Sequence, residues 1–395
     1  MNTWTAPAIR ALILSVLLGV ASGCTTTTKP RVSAESNVYG DVLWPEVSLF
    51  YKEPSEALRN RCIEFDTASL MQHCSLRLLT LDYELEQLRD SNYFADVKFS
   101  DSNLDFAIAI TQASFLSESA GGVVNAAVSG ATLLLVPFTQ EYDVIVEVAI
   151  LWRGHVIREM EYALTYAPTT ALYENPEQEK IELAGQITAR IIEDIKSNNV
   201  LSGQYLADAL QASDYTHDLS TPERAGEYVR TGETAQGTPF DGVVLSYARP
   251  EFQFDEYVVS IYPIRATSWI DYAAVLSGEM ELIRTDFETA LKAGEWRDLR
   301  FGDQQELLVK SPGGGNVGIV QTVNLVDLNG EPFIGRIYLL VKEDKIVALS
   351  NFVPTAYEQP DAELFLSTFL GDMQVPGESP FMAALRQQQR EYDRR

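Results

Sequence analysis

Between Glu141 and Tyr166 the chain alternates with a period of two, and no other stretch constrains the fold as much. Val144, Val146 and Val148 share one face of the run from Glu141 to Arg153. Gly154 and His155 mark a tight turn. Val156, Arg158, Met160, Tyr162, Leu164 and Tyr166 then repeat the period on the return, and Pro168 closes the pair. Successive side chains of a strand point to opposite faces, so this pattern predicts a hairpin and an antiparallel sheet. On either side the period lengthens. Leu78, Leu81, Leu85 and Leu88 predict an amphipathic helix over Leu76 to Arg89, ended by Asp90-Ser91-Asn92. Tyr93 to Phe99 and Asp105 to Ser114 alternate as strands. Ile181, Ala184, Ile187, Ile191, Ile192 and Ile195 form the stripe of a second helix, Glu174 to Ser197. Glu174, Glu177 and Glu179 at its start suit the helix dipole. Residues 46–200 therefore read as an α+β layer.

Residues 201–240 read as a linker, with a short helix near Tyr205 to Gln211 and then turn-forming sequence through Gly232, Gly237 and Pro239. A second domain follows at 241–372. Val243 to Tyr247 and Tyr257 to Pro263 read as strands; Ile270 to Leu276 and Asp286 to Ala293 read as helical pieces. Gln305 to Ser311, Val317 to Asp327, Gly335 to Lys342 and Lys345 to Val353 read as a four-strand meander, closed by a helix over Asp361 to Leu370. Residues 373–395 read as a polar tail, within which Phe381 to Arg390 has helical character. The fold class is α+β: two α/β-layer domains, each a mostly antiparallel sheet packed with helices.

The first residues belong to neither domain. A lone positive charge, Arg10, precedes the apolar run Ala11 to Val20 and the small residues Ala21-Ser22-Gly23 before Cys24. The run is far shorter than the roughly 20 residues that span a bilayer, and its order is that of a secretory signal. Its end resembles the lipobox of bacterial lipoproteins, with Ala21 where leucine is commonest. The resemblance implies that 1–23 is a cleaved signal and that Cys24 is acylated as the first mature residue. A lipid bilayer is then a partner through Cys24. Residues 24–45, with their four-threonine run, become a tether. Each buried lipid methylene contributes about 0.8 kcal/mol, so two or more chains anchor stably. Thr25 in place of the aspartate that often marks inner-membrane retention implies the outer membrane of a Gram-negative cell, facing the periplasm. The plainer alternative is an ordinary signal with a chance cysteine beside its cleavage site.

The formal charge of −26 repels phosphate backbones and argues against nucleic acid as a partner. Beyond Cys24 only Cys62 and Cys74 remain, and in an oxidising compartment they are expected to form one structural disulfide. Pro312-Gly313-Gly314-Gly315-Asn316 lacks the Lys-Ser/Thr of a phosphate loop and reads as a turn. His73, His155 and His217 are isolated in sequence, and no nucleophile–base or metal-ligand spacing occurs. No catalytic, cofactor-binding or metal-ligating residue is nominated. The uncharged segment Ala120 to Phe138 has two readings, a partner-facing or membrane-facing loop and a glycine-bounded connection into a buried strand.

Two further resemblances concern the domains. Leu88-Arg89-Asp90-Ser91-Asn92-Tyr93-Phe94-Ala95-Asp96-Val97 and Thr132-Leu133-Leu134-Leu135-Val136-Pro137 resemble the α/β domain of envelope lipoproteins and the amino-terminal domain of TolB. Gly335 to Ser350, Val353-Pro354 and the helix ending Phe365-Leu366-Ser367-Thr368-Phe369 resemble the PsbP-like fold, which includes the periplasmic lipoprotein DcrB. Both resemblances imply binding or assembly roles. The expectation is a non-enzymatic interaction, assembly or transport accessory with an unidentified envelope protein partner; the alternative is a small-ligand or lipid carrier. The anchoring expectation is tested by Cys24→Ser. This change should abolish palmitate labelling and release the protein from membranes, whereas equal labelling of the variant would rule acylation at Cys24 out.

Overall fold

A computed structural model describes residues 43–68, 72–77, 81–117, 138–170, 176–235, 237–266, 269–311, 314–357 and 361–394. They form an α+β fold with two largely antiparallel main sheets packed against helices. The chain divides into two compact units. One runs through Asn103 and adds Ala109–Val148 and Glu161–Ile192; the other comprises Leu104–Ile108, Ala149–Met160 and Glu193–Arg395.

The first sheet uses β1 (Val47–Tyr51), β2 (Gln72–Arg77), β3 (Val97–Phe99), β4 (Phe106–Ser117), β6 (Tyr142–Trp152) and β7 (His155–Tyr166). Its order is β3-β1-β4-β6-β7, with β2 also on β4. β1 and β3 are parallel, Val47 opposite Val97. A separate pair joins β5 (Phe138–Thr139) to β8 (Thr169–Thr170). The hairpin turn is centred one residue earlier than its sequence suggests. Arg153 and Gly154 both take left-handed φ, 46° and 83°, and His155 already belongs to β7. Two left-handed residues give the turn whose twist matches paired strands. All seven residues from Val144 to Ile150 are buried, so β6 is covered on both faces rather than one.

The helices of this half are α1 (Glu56–Ala68), α2 (Asp82–Asp90) and α3 (Pro176–Asn198). Ser55 caps α1 by accepting from Leu58 N at 3.0 Å, and the buried Glu147 carboxylate accepts in turn from Ser55 N at 3.0 Å. The stripe Ala184, Ile187, Ile191, Ile192 and Ile195 on α3 is buried as its spacing predicts. The helix expected from Leu76 begins only at Asp82. Leu76 and Arg77 instead belong to β2, opposite Ala113 and Gln112 of β4, because pairing with a buried strand outweighs a few tenths of a kcal/mol of helix propensity per residue. Leu78 lies outside the described residues.

The second sheet is eight-stranded: β9 (Arg224–Ala225), β10 (Tyr228–Ala235), β11 (Val243–Arg249), β12 (Phe252–Pro263), β13 (Asp298–Ser311), β14 (Gly314–Val326), β15 (Pro332–Lys342) and β16 (Lys345–Pro354). The order is β13-β14-β15-β16-β12-β11-β10-β9. The remaining helices are α4 (Gly203–Leu210), α5 (Tyr272–Ala293), α6 (Ala362–Asp372) and α7 (Pro380–Asp393). Strand alternation sorts the side chains between two cores. On one face Leu245, Tyr247, Val259, Ile261, Leu340 and Leu349 meet Phe365 and Phe369 of α6. On the other, Ile319, Val323, Ile337, Leu339 and Ile346 meet Leu276 and Met280 of α5. Gly335 faces Phe352 across the ladder, and a Cβ there would overlap that ring. The two helical pieces expected over 270–293 form one helix, capped by Asp271 and ended by left-handed Gly294.

Three expectations need correction. The stretch 201–240 is more than a linker: β10 pairs with β11, and Tyr215, Ala225 and Tyr228 join the α6-side core. The stretch 373–395 is more than a polar tail. Ser379 and Pro380 start α7, whose Phe381 and Met382 are buried; the Phe381 ring lies 5.9 Å from Trp152 and 5.6 Å from Phe240. From the sequence, Leu364, Phe365 and Phe369 of the closing helix are all expected to cover the meander Val317 to Val353; Leu364 is instead 57% exposed, whereas Phe365 and Phe369 are buried. Phe365→Ala or Phe369→Ala should therefore cost about 3–5 kcal/mol in urea unfolding. Leu364→Ala should stay within about 0.5 kcal/mol. Truncation before Pro380 should lower stability measurably.

Candidate functional site

Cys24, the signal, most of the tether and residues 120–137 of the apolar segment lie outside the described residues. Residues 312–313 do as well; Gly314, Gly315 and Asn316, expected in a turn, already belong to β14, opposite Ser311, Lys310 and Val309. Cys62 on α1 and Cys74 on β2 are joined, with Cα atoms 5.4 Å apart. Both are buried beside Leu58, Ala113, Phe115 and Ile145, and the Cys74 amide donates to the Asp66 carboxylate. Such a pair, enclosed in apolar packing, fits a structural cross-link rather than a reactive one.

Two buried polar networks hold ionisable groups. In the first, Asp255 accepts from the Tyr228 hydroxyl at 2.9 Å and from Asn351 Nδ2 at 3.0 Å, with Arg249 Nη1 at 3.5 Å. Burial, then the hydrogen bond to Asp255, raises the Tyr228 phenol well above its ordinary value, so its proton stays in place. In the second, Lys345 Nζ donates to Asp344 and to the Gly377 carbonyl at 3.2 Å. Arg386 Nη1 reaches Asp344 Oδ2 at 3.2 Å and Glu378, and Nη2 donates to the Ile264 carbonyl at 2.6 Å. Burial lowers the Lys345 pKa against the opposing pull of Asp344. Asp344, Lys345 and Arg386 are all buried, and their interactions bind the β15–β16 turn to α7. Neither network combines substrate access with a nucleophile–base pair. Among the described residues no group of three or more His, Cys, Asp or Glu is placed to hold a metal ion. His217, outside both networks, accompanies Asp214 at 2.6 Å, and this hydrogen bond raises its pKa.

The open feature is the rim of the eight-stranded sheet. β13 is its end strand, fourteen residues long, and no other described strand pairs with its outer side. A bulge between Phe301 and Gln304 interrupts one half, while the register from Gln304 to Ser311 is continuous. In that regular half Leu308 stands opposite Val317 of β14, and the two are 64% and 57% exposed. The next position inward on the same face of β14, Ile319, is buried in the α5-side core. An apolar surface thus runs from the core to the open edge. The sequence pattern placed a strand here without showing that it ends the sheet; the adjacent Leu307 and Leu308 were the available signal, since one of two neighbouring leucines in a one-sided strand must face outward.

No family model matches this chain, and no curated protein matches it. Among solved structures it is similar to cyanobacterial PsbP (CyanoP) from Synechocystis, at 10% identity over 41% of this chain and 89% of that one, TM-score 0.28. It is similar to the Ran-binding protein Mog1p of Saccharomyces cerevisiae, at 12% identity over 42% and 94%, TM-score 0.26. A Xanthomonas campestris protein assigned to the DUF330 family shows 10% identity over 40% and 87%, TM-score 0.22. Non-reducing mass spectrometry of the protein isolated under oxidising conditions should yield one linked Cys62–Cys74 peptide pair; two alkylatable thiols would reject the cross-link.

Proposed function

We propose that this chain is an acyl-anchored accessory protein of the Gram-negative cell envelope, held at the outer membrane through Cys24, that works by binding another envelope protein and performs no chemistry. The single observation behind the binding role is the open β13 rim with its exposed Leu308–Val317 pair. Soluble proteins usually blunt such edges, because unpaired backbone groups invite another strand. An extended segment of a partner fits there, with main-chain hydrogen bonds along Gln304 to Ser311 and an apolar side chain over Leu308 and Val317. The signal-like leader and the Cys62–Cys74 pair both suit an exported protein. The net charge of −26 disfavours nucleic acid and anionic lipid surfaces, leaving membrane attachment to the acyl chains.

A photoreactive amino acid at position 308, activated in intact cells, should give a discrete cross-linked species with an envelope protein. The same group at exposed position 364 should not. Val317→Asp should abolish the adduct at 308. Equal labelling from both positions, or none from either, would remove the rim from the proposal.

A further inference from the structure

A cleft of about 670 Å³ opens beside α7. Its apolar wall includes Phe240, Met382, Leu385 and Tyr392, and Arg265 and Arg386 supply its charge. No aspartate or glutamate lines it, in a chain with 56 acidic and 30 basic residues. The volume is in the usual range for small-molecule sites, roughly 300–1,000 Å³, and so is the makeup of an apolar wall with few polar groups.

The two guanidinium groups differ. Arg386 is buried, and both its Nη atoms are committed to Asp344, Glu378 and the Ile264 carbonyl, yet its Nε donates to nothing. A buried donor without a partner is uncommon in a folded protein. Arg265 is 53% exposed, and its Nη2 contacts are the Phe240 carbonyl at 3.4 Å and Asp241 Oδ1 at 3.5 Å. Both lie beyond the usual hydrogen-bond distance, so the fork is only loosely engaged. Arg386 is already neutralised by its two carboxylates. Arg265 shares its charge with Asp241 at 3.5 Å, a carboxylate that does not line the cleft, and its fork keeps donors for a second planar carboxylate.

We infer that this cleft binds a small amphipathic monocarboxylate, its carboxylate on Arg265 and its aliphatic body against Met382, Leu385, Phe240 and Tyr392. An inorganic anion leaves the apolar wall uncovered, and a neutral alkyl chain leaves Arg265 with only its two long contacts. The site is separate from the β13 rim and does not depend on it.

The test is calorimetry on the chain from residue 24 onward carrying Cys24→Ser, purified without detergent, with octanoate, octan-1-ol and acetate as probes. Octanoate should saturate one site, and octan-1-ol and acetate should bind at least about tenfold more weakly. Arg265→Ala should weaken octanoate by about tenfold or more without changing octan-1-ol. Gln388→Glu, which adds an acid at an exposed lining position, should do the same. Thermal unfolding of both variants should match the parent. Absence of saturation, equal affinity for octanoate and octan-1-ol, or unchanged octanoate binding in a folded Gln388→Glu or Arg265→Ala variant overturns the inference.

Discussion

Phe365 lies flat on Tyr257, ring centroids 4.3 Å apart, and the architecture of the eight-stranded sheet depends on that contact. Around it Tyr228 and Tyr247 stand edge-on to the same ring, and Phe369 stacks behind it. Tyr228, Tyr247 and Tyr257 sit on β10, β11 and β12, so one phenylalanine of α6 touches three consecutive strands. Aromatic pairs of this geometry add about 0.5–1.5 kcal/mol each beyond their buried area. The tyrosine hydroxyls supply a polar border: Tyr228 donates to Asp255, and Tyr247 donates to the Pro222 carbonyl at 2.6 Å. The second bond fixes the segment before β9, drawing a turn-rich stretch into the folded unit.

The charge network at Asp344, Lys345 and Arg386 has a different role. Desolvating three ions costs several kcal/mol apiece, and excellent geometry with further hydrogen bonds is needed to offset it. Such a network is therefore weak as a source of stability and strong as a determinant of position. It specifies where α7 attaches, since only one placement of Arg386 satisfies Asp344, Glu378 and the Ile264 carbonyl together. Lys342 makes a parallel connection, donating to the Leu370 and Met373 carbonyls at the end of α6. The two lysines flanking the β15–β16 turn and the arginine of α7 thereby attach the carboxy-terminal helices to one corner of the sheet.

The two features proposed to bind ligands lie where this packing is incomplete. α5 and α6 pack on the two faces of the sheet, and no other described strand pairs with the outer side of β13. The Arg386 network holds α7 at its buried side and leaves Arg265 with two long contacts. Asp344, Lys345 and the Nη atoms of Arg386 are occupied with structure, and an apolar edge and a loosely held guanidinium are left over.

Local physics made much of this fold legible in the sequence. A period of two in Glu141 to Tyr166 marks paired strands, and a period near 3.6 in α3 determines which of its residues face a core, because side-chain direction follows backbone geometry alone; that β6 is buried on both faces was decided by its neighbours. The order of two strands, helix, meander and closing helix followed from the same alternation. Long-range pairing decided the rest. Leu76 is strand because β4 offers it a ladder, Tyr228 is core because Phe365 of α6 presents its ring to it, and α7 is a built element because Arg386 finds Asp344 and the Ile264 carbonyl far away in sequence. The β13 rim and the Arg265 cleft were invisible for that reason: an edge or a cavity is defined by what fails to pack beside it, and a sequence records its own residues but not their missing neighbours.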